Sequence, residues 1–244
     1  MGKLFRIGGE EAQRWTDLET LLEGKTLSAQ LTEQFSFDRK FNRDDFLSLL
    51  FYMGLITIQE ANLSEVQLQI PNEVIRELYF RYFLDQIQLC NKLQLNVPDI
   101  RSKILEFAKY NNPHPFLELV QDTLEKLSNR DWPGFDEKHL KAILIAYFYS
   151  VGIYHIKSEP EIEQKYPDIL LCSRPPYEPP FQFMIELKFL HKKHANDIKE
   201  VTALGRQQLQ GYLQAEEVQN LKNLRAWLFV FVATEAVVVE EIGP

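Results

Sequence analysis

The sequence predicts an α+β / α/β chain in two parts: a helical N-terminal region over residues 1–130, then a mixed sheet flanked by helices over 131–244. Three observations predict it. Helical periodicity dominates up to about residue 127, the turn Asp131-Trp132-Pro133-Gly134 interrupts it, and apolar runs at hairpin spacing follow. With 244 residues, 45% apolar and 25% charged, the chain has the composition and length of two modest globular domains.

In order along the chain, residues 14–23 have the pattern of a short amphipathic helix, and 27–35 that of another or of an irregular continuation. From Asn42, an N-cap residue, Phe46, Leu49, Leu50 and Met53 recur at helical spacing until Gly54 ends the helix. Residues 55–58 and 66–70 read as a hairpin, and Pro71-Asn72-Glu73 opens a helix whose apolar face runs through Val74, Leu78 and Tyr79 to Phe83. Helix, hairpin, helix over about 42–84 is a winged-helix-like order. Its helices are not basic, which favours a packing or protein-contact role over DNA reading. Residues 100–110 and 116–127 are two more amphipathic helices, separated by Asn111-Asn112-Pro113-His114-Pro115.

After the Asp131–Gly134 turn, residues 135–150 form a strong helix with Leu140, Ile143, Leu144 and Tyr147 as its inner stripe. Strands are expected at 154–162, 166–173 and 181–190, a long helix at 197–214, and two late strands at 224–234 and 236–240. This order predicts a three-strand meander joined to a fourth strand through a crossover helix.

No apolar run approaches the ~20 residues of a membrane span and the N-terminus lacks a signal-peptide core, so a cytoplasmic location is expected without membrane contact. Cys90 and Cys172 lie far apart without metal-ligand spacing and read as free thiols. Gly24-Lys25-Thr26 imitates the end of a phosphate-binding loop, but position 19, where the first glycine belongs, is Glu. A formal net charge of −8 excludes a generally basic surface, so contact with phosphate backbones falls to a local patch. Lys188, Lys192, Lys193 and Lys199, with His191 and His194 among them, form one candidate; a solvated loop is the other reading. The two histidines alone are too few ligands for zinc.

Chemistry concentrates in Tyr166-Pro167-Asp168-Ile169-Leu170 and Phe183-Met184-Ile185-Glu186-Leu187-Lys188. On an extended strand side chains alternate, so Glu186 and Lys188 share one face and Ile185, Leu187 and Phe189 the other. Such a charged pair must be solvated, partnered or metal-linked, and Asp168 on the neighbouring strand is its natural companion. Two carboxylates suit a hard divalent cation, and an ammonium beside them suits developing phosphate charge. The competing arrangement is an Asp168–Lys188 salt bridge with Glu186 in water. Glu137 opens the preceding helix, where it can approach the site or simply favour the helix's positive end. In the following helix Ile198, Val201, Gly205, Gln208 and Tyr212 recur at steps of three and four; Gly205 permits close approach to the sheet, and Gln208 is a site residue or a satisfied core amide.

On Pro167-Asp168, Glu186-Leu187-Lys188 and the helix-borne run Gly205 to Tyr212, residues 131–244 resemble the PD-(D/E)XK, or restriction-endonuclease-like, nuclease superfamily. The run FLSLLFYMGLITI from Phe46, with Leu68-Gln69-Ile70-Pro71-Asn72, is similar to the C-terminal half of bacterial AAA-ATPase-like proteins of unknown function. The resemblance implies a DNA nuclease using Mg²⁺ or Mn²⁺. Asp168, Glu186 and the Leu187 carbonyl would hold the metal, Lys188 would be the catalytic lysine, and Glu137 and Gln208 would be further catalytic residues. It also implies an AAA-type ATPase domain or a homo-oligomer as partner, although this sequence contains no complete phosphate loop. The alternative is a catalytically inactive nuclease-like module that binds nucleic acid or acts as an adaptor beside such an ATPase.

Overall fold

The computed structural model describes residues 11–35, 38, 41–91, 95–127 and 135–243. The chain divides into two compact units, Met1–Phe83 and Leu84–Pro244.

The first unit carries α1 (Glu11–Leu22), β1 (Leu27–Ala29), α2 (Arg43–Tyr52), β2 (Thr57–Asn62), β3 (Glu65–Gln69) and the start of α3 (Glu73–Asn91). Its sheet is antiparallel in the order β1-β3-β2. The expected helix or irregular run at 27–35 is instead a strand over its first three residues. Leu27 and Ala29 are buried and Ser28 exposed, and Leu27 pairs with Leu68. Asn42 caps α2 through a capping box with Asp45, and Gly54 follows the helix at φ +71°, a conformation that favours glycine. The hairpin starts two residues later than expected and extends further, to Asn62. In α3 the inner face is Tyr79, Phe80, Tyr82 and Phe83; Val74 and Leu78, expected there, are exposed.

The second unit holds α4 (Val97–Tyr110), α5 (His114–Lys126), α6 (Glu137–Tyr149), β4 (Tyr154–Ser158), β5 (Ile169–Ser173) and β6 (Gln182–Leu190). A 3₁₀ helix (Lys192–Asp197), α7 (Ile198–Leu213), α8 (Glu216–Gln219), β7 (Leu224–Val232) and β8 (Glu235–Ile242) complete it. The five strands lie in sequence order, β4 to β8; β6 and β7 are parallel and every other pair antiparallel. The meander, the crossover helix α7 and the helix-flanked mixed sheet are those expected from the sequence.

The compact units part between Phe83 and Leu84, well before the change of pattern near residue 130, because α4 and α5 pack with the sheet. Phe107 stacks on Phe183 with ring centroids 4.1 Å apart, and Phe116 meets Phe148 at 5.0 Å. Trp227 Nε1–H donates to Asn111 Oδ1 at 2.9 Å, and Gln121 Oε1 accepts the Ala236 N–H at 2.7 Å. The Asp131–Gly134 turn and Trp132 lie outside the described residues.

On the opposite face, Leu209, Tyr212 and Leu213 of α7 join Leu170, Met184, Leu228 and Val230 in one buried cluster. Gly205 sets the separation. A Cβ there would stand 2.5 Å from Leu228 Cδ1, closer than carbon atoms pack, so any other residue requires the Leu228 side chain or α7 itself to shift. Because Leu228 is the register partner of Glu186, this close approach occurs beside the charged residues of β6. Among the described residues no helix is long and apolar enough to cross a membrane.

Candidate active site where β5 leaves β6

Strand β6 outlasts its partner. The last β5–β6 register pair is Ile169↔Ile185, while β6 continues to Leu190. One further step of that register sets Asp168 opposite Glu186, the arrangement of cross-strand neighbours. Asp168 thus immediately precedes β5 instead of lying on it, as the sequence reading had it.

Along this freed edge the backbone needs acceptors. The Leu187 N–H donates to Asp168 Oδ2 at 2.9 Å, and the Phe189 N–H donates to Glu137 Oε2 at 3.0 Å. Two carboxylates therefore continue the ladder that β5 abandons. Glu137 reaches the strand from the first turn of α6, whose N-terminus Asp136 caps through the N–H groups of Lys138 and His139.

Glu186 and Lys188 do share a face: Lys188 Nζ donates to Glu186 Oε1 at 2.6 Å. The Glu186 side chain is 2% exposed, so the arrangement with Glu186 in water is not the one adopted. Its Oε2 is buried and, among the described residues, has no hydrogen-bond partner. Burial and the neighbouring Asp168 charge push the Glu186 carboxyl up to about 7, against the pull of Lys188. Burial likewise raises Glu137, as does Asp168, with Lys188 and the Phe189 N–H opposing. Burial alone would lower Lys188; Glu186, then Asp168 and Glu137, outweigh it and raise its pKa, so the ammonium persists at neutral pH.

Helix α7 approaches the sheet most closely at Gly205, against Leu228, the register partner of Glu186. Gln208 Oε1 is buried without a hydrogen-bond partner among the described residues, three residues beyond Gly205. Tyr212, one turn further on, donates its hydroxyl to the Tyr166 carbonyl at 3.3 Å; burial, Glu186 and Asp168 together raise its pKa.

Sequence reasoning missed Lys141 and Glu159. Lys141 sits one turn after Glu137 in α6, its side chain 7% exposed, and pairs with Glu159 and with Asp168 Oδ1 at 3.5 Å. A lysine inside the apolar run Leu140 to Phe148, four residues from a carboxylate already suspected, was the signal available. His191, Lys192, Lys193 and His194 are exposed in and before the 3₁₀ helix, Lys199 is exposed in α7, and His194 faces Asp197 at 3.4 Å. Cys172 is a free thiol.

Among the described residues no three His, Cys, Asp and Glu side chains are grouped to hold a metal. Paired carboxylates with one orphaned, buried oxygen match a hard ion that takes one or two carboxylates and keeps several waters.

The family model of the PD-(D/E)XK nuclease superfamily matches residues 135–241, which run from just before α6 to the end of β8 and contain Glu137, Asp168, Glu186, Lys188 and Gln208. No curated protein matches the chain. The superfamily's chemistry is nuclease-type phosphodiester hydrolysis, and its members generally use divalent metals.

Proposed function

We propose that residues 135–241 hydrolyse DNA phosphodiester bonds with a divalent cation, Mg²⁺ or Mn²⁺, held by Asp168, Glu186 and the Leu187 carbonyl. The observation that carries this reading is the orphaned Glu186 Oε2, buried directly across the register from Asp168. A strand residue turns its carbonyl to the side its own N–H faces, so the Leu187 carbonyl points toward Asp168 as its N–H does. Bound there, a divalent cation would offset phosphate charge and lower the pKa of water.

The protein's own groups supply the rest. Lys188, an ammonium at neutral pH, acts on charge developing at the phosphate and not as a general base. Gln208, whose Oε1 has no hydrogen-bond partner among the described residues, orients a water through that acceptor, or donates an Nε2–H to the site carboxylates. Glu137 holds the end of β6 through Phe189 and faces Lys188 electrostatically. With a net charge of −8, backbone contact falls to Lys192, Lys193 and Lys199, which follow Lys188 in sequence.

The first unit is read as winged-helix-like, on the grounds that the β2–β3 hairpin and β1 form one antiparallel sheet among α1, α2 and α3. Its role in this reading is contact with another protein. An ATPase partner or self-association rests on the sequence resemblance alone.

Cleavage of single-stranded, duplex and branched DNA is the test, with Mg²⁺, with Mn²⁺ and with chelator. Wild type should cut only with metal, and Glu186→Gln should not cut. Metal-independent cutting, or an active Glu186→Gln, defeats the proposal. A second reading, a nuclease-like module that binds without turnover, draws on the internally paired charges, Lys188 on Glu186 and Lys141 on Asp168. It prevails if metal and DNA bind and no substrate is cut.

A further inference from the structure

Lys141 has two acidic partners of different character. It makes its closer contact with Glu159, whose side chain is 44% exposed, and a looser one, 3.5 Å, with Asp168 Oδ1. Glu159 is fixed where Lys141 needs it: it turns at φ +46° just after β4, and its N–H donates to the Asp168 carbonyl at 3.1 Å. An almost fully buried ammonium is costly unless it stays paired. With Glu159 alongside, Lys141 can leave Asp168 and remain paired.

Asp168 divides its oxygens in a complementary way. Oδ2 is taken by the Leu187 N–H, which leaves Oδ1 as the oxygen open to an incoming cation, and Oδ1 is the one that Lys141 touches. Two positive charges cannot comfortably share one carboxylate oxygen in a half-desolvated site, because their repulsion is poorly screened there.

We propose that Lys141 is the resident counter-ion of Asp168: it holds the carboxylate oriented in the ion-free protein, yields Oδ1 to a divalent cation, and transfers to Glu159. Lys141 is thus a positioning residue that acts through Asp168, and Glu159 sets how readily it lets go. This rests on the ion site proposed above.

Mn²⁺ titration of the full chain, with free ion followed by its electron paramagnetic resonance signal, tests the transfer in wild type, Lys141→Met, Glu159→Gln and the double variant. Glu159→Gln removes the alternative partner, so Mn²⁺ should bind about tenfold more weakly, the scale on which outer partners of metal ligands act. Lys141→Met removes the competitor and should bind Mn²⁺ more tightly than wild type. The double variant should behave like Lys141→Met, since Glu159 acts only through Lys141. A merely structural pair would instead weaken binding in both single variants, and that result, or unchanged binding in Glu159→Gln, overturns the proposal. If Lys141→Met does not fold, Lys141→Gln, which keeps a polar side chain without the charge, takes its place: tighter Mn²⁺ binding than wild type is expected, and weaker binding overturns the proposal. Wild type that binds no Mn²⁺ brings down the ion site itself, an outcome distinct from wild-type binding with indifferent variants.

Discussion

The Asp168 carboxylate accepts the Leu187 N–H at 2.9 Å, so an acidic side chain completes the backbone ladder of the strand that carries Glu186 and Lys188. One bond therefore ties together the placement of all three charged residues. Glu137 repeats the device one step along, on Phe189. Each of these carboxylates has one oxygen committed to the main chain, which restricts its rotation and leaves the other for the site.

Replacing Asp168 separates charge from scaffold. Asp168→Asn keeps an acceptor for Leu187, so the fold should survive while Mn²⁺ binding is lost. Asp168→Ala strands that buried N–H as well and should cost a further ~1–3 kcal/mol in urea unfolding. Equal stability of the two variants would mean that the Leu187 bond carries no weight.

Lys188→Met should leave ion binding in place and lower the rate of DNA cleavage by about 10²–10³, the usual loss for one electrostatic stabiliser of a transition state. Single-turnover cleavage beside a Mn²⁺ titration checks this. A parallel loss of ion affinity would reassign Lys188 to holding Glu186, its 2.6 Å partner.

Gly205→Ala places a methyl 2.5 Å from Leu228 Cδ1. Overpacking of this kind should cost ~1–3 kcal/mol and lift α7, with Gln208, off the sheet. Adding Leu228→Val should recover part of the loss in a double-mutant cycle. Strict additivity of the two changes would contradict the contact.

Stability of the metal-free protein should fall as pH rises from about 4.5 to about 7. Glu186 titrates near 7 in the folded chain against an ordinary 4.5, so across that window the folded state binds more protons than the unfolded one. Glu137, raised by burial, acts with the same sign. Urea titrations in chelator should show the decline, Glu186→Gln should flatten it, and added Mn²⁺ should reverse it. A flat wild-type profile would falsify the buried-carboxylate account.

Much of the second unit was legible because its patterns are long. β6 and β7 each run nine residues, and α7 keeps its stripe over four turns, so period and face could be read without a partner in view. β1 has only three residues, too few to establish an alternation, and its partner β3 lies some forty residues downstream. Val74 and Leu78 are exposed although their hydrophobicity points them inward, because hydrophobicity does not say which side of a helix finds a neighbour. The assignment of α4 and α5 to the sheet likewise depends on long-range pairs such as Asn111 with Trp227.

By itself the sequence determined that charged residues interrupt apolar strands at Asp168, Glu186 and Lys188, and that a glycine and a glutamine share one face of the following helix. Local spacing carries that information, because side-chain direction follows from backbone period. Only the tertiary structure decided who answers whom: Lys188 takes Glu186, Asp168 takes the Leu187 N–H, and Lys141 arrives between Asp168 and Glu159. Those pairings depend on where β5 stops along β6 and on how α6 meets the turn after β4. The charges and hydrogen-bonding groups buried there had to be satisfied together, and that condition is set by packing in three dimensions.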